Sequence, residues 1–404
     1  MLNKNSAREE YKGGILRERI AAGQKCYEEK RSAEKNSEGE HRIKEVDAFK
    51  GFLIFAVVFG HFLLPLKDSP YSFFGRSFYL IYSFHMPAFV FLSGLFAGHA
   101  LRSPRHWCKR CLTLLWLYIF FKWLIFYPEK IAYHMPGSLP DFWHESGTPW
   151  YVLALCFWTL ALPLFAFFRR QFGAVWVLLA ITAASLRLGY LDQANRFGDY
   201  LSLDRVFAFA PFFYGGAFLG EQRFQHFLNM KPGFRRLVIG SGTALALWFA
   251  LHTRSYLHPY EKLIYGVWYS RLEPETLLPL FRRATWLLRL FWQLGAALIS
   301  AAFFLLVKQL VSLPCLEKLF ACPGERSLQI YMLHRPIRDL CLAAGYPVLV
   351  ERYPGIASVT LVVLSLLLTA LLSAKPLYRF FRALQKLPER LLDALHGQVG
   401  NVVK

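Results

Sequence analysis

The sequence feature that most restricts the fold is an apolar run at residues 47–66, which carries one histidine near its far end. A helix over these 20 residues would extend about 30 Å, which matches the hydrocarbon thickness of a bilayer. Its strongly polar side chains are Asp47 and Lys50 near the start and His61 near the end. An ionisable side chain is costly inside a membrane helix, and an imidazole titrates near neutral pH. His61 is therefore a candidate base.

Nine further apolar blocks follow this run, and their apolar residues are continuous rather than spaced for an amphipathic helix. With 55% hydrophobic and 17% aromatic residues, the chain is too apolar for an ordinary soluble protein of this length. The pattern predicts an all-α integral membrane protein with about ten transmembrane helices, multi-pass in the cell membrane with the lipid bilayer as its partner. The predicted spans are 47–66, 78–100, 111–127, 150–168, 174–190, 204–220, 237–252, 286–307, 327–349 and 356–374.

Much of the positive charge, +20 at pH 7, lies in short segments between the apolar blocks. Lysine and arginine accumulate in cytoplasmic segments, so both termini are predicted to be cytoplasmic. The predicted parts are a polar cytoplasmic tail (1–41), a transmembrane domain (42–374) and a basic cytoplasmic tail (375–404). No nucleic-acid partner is expected, because no binding motif accompanies the charge. No metal is expected either, because the cysteines lack the spacing of metal ligands.

Four polar or aromatic residues are predicted to lie at the outer side of the membrane. His61 lies about five residues below the outer end of its span and His85 about seven below the outer end of the next, roughly 8–10 Å below the surface. Trp150 and Arg205 begin two other spans at the same side. We therefore expect these four side chains to share one layer.

The opposite side is predicted to be cationic. Lys50 lies there at the start of the first span, and arginines follow the second span. These arginines are Arg102, Arg105 and Arg110. Lysine and arginine bind phosphate groups, so this side suits a phosphate-bearing donor.

Each of these residues also has a purely structural interpretation. A histidine in a membrane helix often bonds a neighbouring helix, and His85 precedes a proline kink whose carbonyls need donors. Asp47 is suited to cap the first helix. Basic loop residues commonly determine topology. His334 and Arg335 are either site residues or a local polar pair, and the sequence leaves both open.

Four segments together resemble one known family, the membrane-bound acyltransferases of family 3. They are residues 42–61 (RIKEVDAFKGFLIFAVVFGH), 84–94 (FHMPAFVFLSG), 150–153 (WYVL) and 327–334 (SLQIYMLH). The second segment is similar to the branch that contains fucose 4-O-acetylase-like proteins. The resemblance covers residues 42 to about 374.

The resemblance implies an acyl-CoA donor on the cytoplasmic side and a hydroxyl acceptor at or beyond the membrane. The arginine and histidine of the family's first helix correspond to Lys50 and His61, so lysine replaces arginine here. The family's Arg-x-x-Arg corresponds to Arg102 and Arg105, and Arg110 lies closer to the third span.

We therefore predict an O-acyltransferase that moves an acyl group, expected to be acetyl, from acetyl-CoA to a carbohydrate or glycolipid of the cell envelope. The predicted catalytic residues are His61, His85 and Asp47. The predicted donor-binding residues are Lys50, Arg102, Arg105 and Arg110. The predicted acceptor-binding residues are Trp150, Arg205 and His334, with an aromatic loop at 253–285 covering a sugar. His61 would act as a base or as a transient acyl carrier.

Two other classes of protein also fit some of these features. A transporter or flippase for an envelope precursor would use polar residues in a helical bundle, but inverted internal repeats are not evident. A sensor or scaffold would account for the basic segments but gives no reason for two histidines at one depth. The oligomeric state is not predicted.

Overall fold

The structure is a computed structural model, and it describes residues 44–402 except 136, 146, 195, 253–257, 273–278 and 280–282. The predicted polar tail, residues 1–41, lies outside the described residues. The described part is all-helical and contains no β-strand. The predicted fold class, an all-α protein, is confirmed at this level.

Fourteen α-helices occur within the described residues, and four short 3-10 helices connect them. The α-helices are α1 (Lys44–Leu63), α2 (Ser72–Tyr82), α3 (His85–Leu95), α4 (Pro104–Tyr133), α5 (Trp150–Phe172), α6 (Ala174–Leu188), α7 (Leu203–Leu228), α8 (Pro232–His252), α9 (Thr285–Val311), α10 (Pro314–Glu325), α11 (Ser327–Ala343), α12 (Tyr346–Arg352), α13 (Pro354–Leu372) and α14 (Lys375–Val402). The 3-10 helices are Leu64–Leu66, Ala97–Arg102, His258–Tyr265 and Tyr269–Arg271.

Seven helical segments of the described chain are long and apolar enough to cross a bilayer. They are α1, α2 joined with α3, α4, α5, α8, α9 and α13. The chain is thus a multi-pass helical membrane protein. The other three predicted spans coincide with the shorter apolar helix α6, with α7 and with α11. The count of ten and the sides of the termini remain predictions.

Two predicted spans are interrupted in the structure. The span 78–100 divides into α2 and α3 just before Pro87, the third residue of α3. Proline has no N–H to continue the hydrogen-bond ladder of a preceding helix. The span 327–349 divides after Ala343, where Gly345 adopts a positive φ of 78°. Glycine accepts this left-handed conformation and commonly ends a helix.

The C-terminal segment predicted as a basic tail is a helix, α14, that extends to Val402. Its Phe380 and Phe381 rings contact the Phe120 ring of α4, at centroid distances of 6.5 and 6.3 Å. Phe381 is buried by this packing, with 3% of its surface exposed, while Phe380 stays 53% exposed at the edge of the contact.

The backbones of α3 and α7 approach each other closely through two glycines. A methyl group added at Gly94 would lie 1.9 Å from the Phe213 carbonyl oxygen, and one at Gly216 would lie 2.1 Å from that of Phe91. Small residues allow such contact between membrane helices. This contact holds α3, which begins with His85, against α7.

We expect Gly216→Ala to destabilise the fold by about 1–3 kcal/mol, because the added methyl overlaps the Phe91 carbonyl and forces α3 and α7 apart. The neighbouring Gly215 is the matched control, since a methyl there meets nothing within 4 Å. Gly215→Ala should be neutral or stabilise the helix by up to about 1 kcal/mol. Thermal unfolding in detergent checks both variants. Equal melting temperatures for the two would contradict the close contact.

Candidate active site

A cavity of about 120 Å³ brings together four residues that the sequence placed in one layer. These are His61 of α1, His85 of α3, Trp150 of α5 and Arg205 of α7. The other wall residues are Val57, Leu64, Tyr82, Met86, Gly147, Thr148, Phe209, Ile264, Tyr265, Tyr331 and Arg335. The cavity therefore lies where several helices meet, and two residues of the predicted aromatic loop, Ile264 and Tyr265, line it.

A hydrogen bond between two histidines defines the chemistry of this cavity. His334 Nε2 lies 2.8 Å from His61 Nδ1, and His334 Nδ1 lies 3.0 Å from the Ile330 carbonyl oxygen. A carbonyl only accepts, so His334 Nδ1 carries a proton, and in a neutral ring its Nε2 is then an acceptor. His61 Nδ1 must therefore donate. In a neutral ring this leaves His61 Nε2 with a lone pair that can accept a proton from a hydroxyl.

His334 itself contacts His61 rather than the cavity. Its side chain is fully buried and both ring nitrogens have hydrogen-bond partners. It is not among the residues that line the cavity. The geometry thus supports a role in orienting His61, and the acceptor contact predicted from the sequence stays a prediction.

His85 hydrogen-bonds a backbone carbonyl at the break between α2 and α3, and it also lines the cavity. Its Nδ1 lies 2.8 Å from the Ile81 carbonyl oxygen, so this nitrogen carries the proton. Its ring meets the edge of the Tyr82 ring at a centroid distance of 4.6 Å. His85 thus donates to a carbonyl at the helix break, as its structural interpretation proposed. In a neutral ring its Nε2 is left as an acceptor.

Arg335 is the main site residue that the sequence left undecided. Its Nε donates to the Asp339 carboxylate at 2.9 Å, one terminal nitrogen donates to Thr148 Oγ1 at 2.8 Å, and the other donates to Glu129 Oε1 at 3.1 Å. Arg338, fully buried, also pairs with Asp339 at 3.0 Å. These bonds fix the Arg335 guanidinium in the cavity wall. The sequence signal was a histidine, two arginines and an aspartate within six residues of an apolar span.

The turn at Gly147 and Thr148, which lines the cavity, is held by a buried acid. Glu145 Oε1 accepts from the Gly147 N–H at 2.7 Å, and its other oxygen lies 3.0 Å from Lys122 Nζ. The Ser202 hydroxyl donates to the Glu145 carbonyl oxygen. Burial raises the pKa of the Glu145 carboxyl, and the Lys122 ammonium opposes that shift. Three contacts of Glu145, with Gly147, Lys122 and Ser202, thus hold this turn in place.

Arg205 and Trp150 form a neighbouring part of the wall. The Arg205 guanidinium carbon lies 5.5 Å from the centroid of the Trp150 ring, and a terminal nitrogen lies 3.5 Å from the Gly147 carbonyl oxygen. Arg205 and Arg335 give the cavity two guanidinium groups beside its histidines. Such a field favours a negative charge that develops on a reacting oxygen.

The predicted donor residues do not line this cavity. Lys50 lies 11 positions before His61 in α1, about 16 Å along the helix. Its Nζ is 4.0 Å from an Asp47 carboxylate oxygen and 4.8 Å from the centroid of the Phe96 ring. The remaining donor candidates are Arg102, Arg105 and Arg110, and all three are exposed.

Asp47, predicted to be catalytic, is also distant from His61. It lies 14 positions earlier in α1, about 21 Å along the helix. The structure pairs it with Lys50, which agrees better with a role at the start of the helix. Within the described ranges, no three His, Cys, Asp or Glu side chains converge as metal ligands.

A multi-pass helical bundle that encloses an oriented histidine pair and two arginines defines a membrane protein with a candidate acid–base centre. The chain belongs to the family described as an acyltransferase domain, Acyl_transf_3, whose model matches residues 43–375. The resemblance found in the sequence is thereby confirmed, and the protein is a membrane acyltransferase. Searches of curated proteins and of solved structures found no match.

Proposed function

We propose that the protein is an O-acyltransferase of the cell membrane that moves an acyl group, expected to be acetyl, from cytoplasmic acyl-CoA to a hydroxyl of a cell-envelope sugar or polysaccharide. The observation that carries this proposal is the oriented His61–His334 pair. It leaves His61 Nε2 as a proton acceptor on a residue that lines the cavity. Acyl transfer to a hydroxyl needs such a base.

The proposed reaction begins with the acceptor hydroxyl bound at His61. Its proton moves to His61 Nε2 as its oxygen attacks the thioester carbonyl, and the carbonyl oxygen becomes negative. Arg205 and Arg335 stabilise that charge. When the carbon–sulfur bond breaks, the proton on His61 passes to the departing thiolate. The products are an ester and free CoA.

His334 and Arg335 have distinct parts in this proposal. His334 keeps His61 in the required tautomer by accepting from Nδ1, and it partly balances the imidazolium that forms during proton transfer. Arg335 is fixed by three partners before substrate arrives. A preorganised charge stabilises a transition state without the cost of reorientation.

The acceptor would lie against the aromatic part of the cavity. Trp150 and Tyr265 supply rings, and Arg205 supplies hydrogen-bond donors. The donor would approach from the opposite end, where Lys50 and the exposed arginines lie. These are Arg102, Arg105 and Arg110. Their charge suits the phosphates of CoA.

The direct test is transfer of label from radiolabelled acetyl-CoA to an envelope extract by the purified protein in detergent. We expect wild type to place label in a base-labile ester and His61→Gln to place none. Label that accumulates on wild-type protein, and is absent from His61→Gln, would identify His61 as the acyl carrier instead. A folded wild-type protein that transfers no label from acetyl- or succinyl-CoA would contradict the proposal and favour a transporter.

A further inference from the structure

A second cavity, of about 530 Å³, lies along α14 and is almost entirely cationic. We name it the cationic cleft. Its wall residues are Arg326, Lys375, Tyr378, Arg379, Arg382, Ala383, Lys386 and Arg390. Six of these eight residues are basic and none is acidic. Its volume falls in the range of small-molecule sites.

The cationic cleft is built on one face of α14. Its basic residues recur at intervals of three or four positions, which places them on one side of a helix. The opposite face carries Phe381, whose ring packs on Phe120 of α4. Because Phe381 is only 3% exposed, the helix cannot rotate without exposing it. The basic face therefore has a fixed orientation.

Arg326, directly before α11, supplies the other wall of the cationic cleft. One terminal nitrogen donates to the Ser373 carbonyl oxygen at 2.5 Å, while its Nε is buried without a hydrogen-bond partner among the described residues. The guanidinium carbons of Arg326 and Arg382 lie 5.3 and 5.8 Å from the Tyr378 ring centroid. The positive charges of Arg326 and Arg382 thus both lie against the Tyr378 ring. An anion bound between them would relieve their repulsion.

The cationic cleft lies at the same end of the bundle as the predicted donor residues. A methyl group at Gly324 would lie 1.6 Å from the Asp47 carbonyl oxygen, so the start of α1 contacts the chain just before Arg326. Glu389 of α14 also interacts electrostatically with Arg110. From Arg326 to His334 is eight residues, about 12 Å along α11.

We propose that the cationic cleft binds the nucleotide end of the acyl-CoA donor, which carries its phosphate groups. This inference rests on the proposed function. CoA is a long molecule with phosphates at one end and its thioester at the other, so its phosphate site need not lie beside His61. Several arginines facing each other across a concave site suit clustered phosphates, because each fork can bind two oxygens.

The test is binding of CoA, and of adenosine 3′,5′-bisphosphate, to protein in nanodiscs of zwitterionic phosphatidylcholine, measured by calorimetry. We expect Arg379→Gln/Arg382→Gln to raise both dissociation constants at least about 10-fold, since two charge-assisted contacts are lost. The KM for acetyl-CoA should rise while kcat changes little. The matched control is Arg170→Gln/Arg236→Gln, which removes two exposed charges outside the cationic cleft and should leave affinity unchanged.

Three further measurements make the test decisive. Arg379→Lys/Arg382→Lys keeps the charges but loses the bidentate forks, so its affinity should fall between those of wild type and the glutamine variant, which separates charge loss from misfolding. His61→Gln should bind CoA with wild-type affinity and transfer no acyl group. This result would show that loss of donor binding and loss of catalysis can be told apart. If the glutamine double variant binds CoA normally but retains fewer phosphatidylglycerol molecules in native mass spectrometry, the cationic cleft is a lipid site and the inference is wrong. A wild-type protein that binds no CoA overturns it together with the proposed function.

Discussion

Replacing His61 by alanine is expected to lower the rate of acyl transfer about 10²–10⁴-fold, the usual contribution of a positioned general base. The physical reason is the loss of the Nε2 lone pair on a histidine that lines the cavity and whose Nδ1 is engaged by His334. The fold should change little, since the His61 side chain is only half-buried. Steady-state kinetics with labelled acetyl-CoA measure the effect.

The matched control for His61 is His226, an exposed histidine of α7 that does not line the cavity. His226→Ala should have wild-type kinetics. His334→Ala should give an intermediate loss, because His61 remains but its tautomer is no longer fixed. A His61→Ala protein that is folded and retains full activity would remove His61 from the mechanism.

The second large effect is expected at Asp339, whose carboxylate is fully buried and pairs with Arg335 and Arg338. Asp339→Asn should lower the free energy of unfolding by about 3–5 kcal/mol, because it leaves buried guanidiniums without their shared counter-charge. Activity should fall as well, since Arg335 loses one of its three partners. Thermal unfolding and transfer rates, measured on the same preparation, test both.

Two companion variants separate this network from a general loss of charge. Asp68→Asn is the control, because the Asp68 side chain is 65% exposed, and it should cost little. Removing one buried cation as well, in Asp339→Asn/Arg338→Gln, should restore part of the lost stability. If the single Asp339→Asn variant is as stable as wild type, the pairs of Asp339 with Arg335 and Arg338 do not stabilise the fold.

The sequence predicted much of this structure because its strongest signals are local. The long apolar runs predicted ten spans, and the structure has a helix in each of them. Counting residues from the ends of the spans placed four residues at one depth: His61, His85, Trp150 and Arg205. The structure brings these four together around one cavity. Depth in a membrane follows from position along a helix, so it is readable without knowing which helices touch.

The parts that the sequence missed depend on contacts between distant residues. Arg335 pairs with Glu129 of α4 and Thr148 of the following turn, and neither pairing has a local signature. The hydrogen bond between His334 and His61 was not predicted, because it depends on how α1 packs against α11. The helical form of the C-terminal segment depends on Phe120 in α4, which offers its apolar face a partner.

The break between α2 and α3 has an electrostatic consequence for the cavity. It places the first turn of α3, with His85 and Met86, in the cavity wall, so the positive end of a helix dipole lies there. His85 donates to the Ile81 carbonyl oxygen and so offsets part of the negative end of α2. A helix dipole carries no titratable proton. Its contribution to holding a negative oxygen is therefore the same at every pH at which the fold persists.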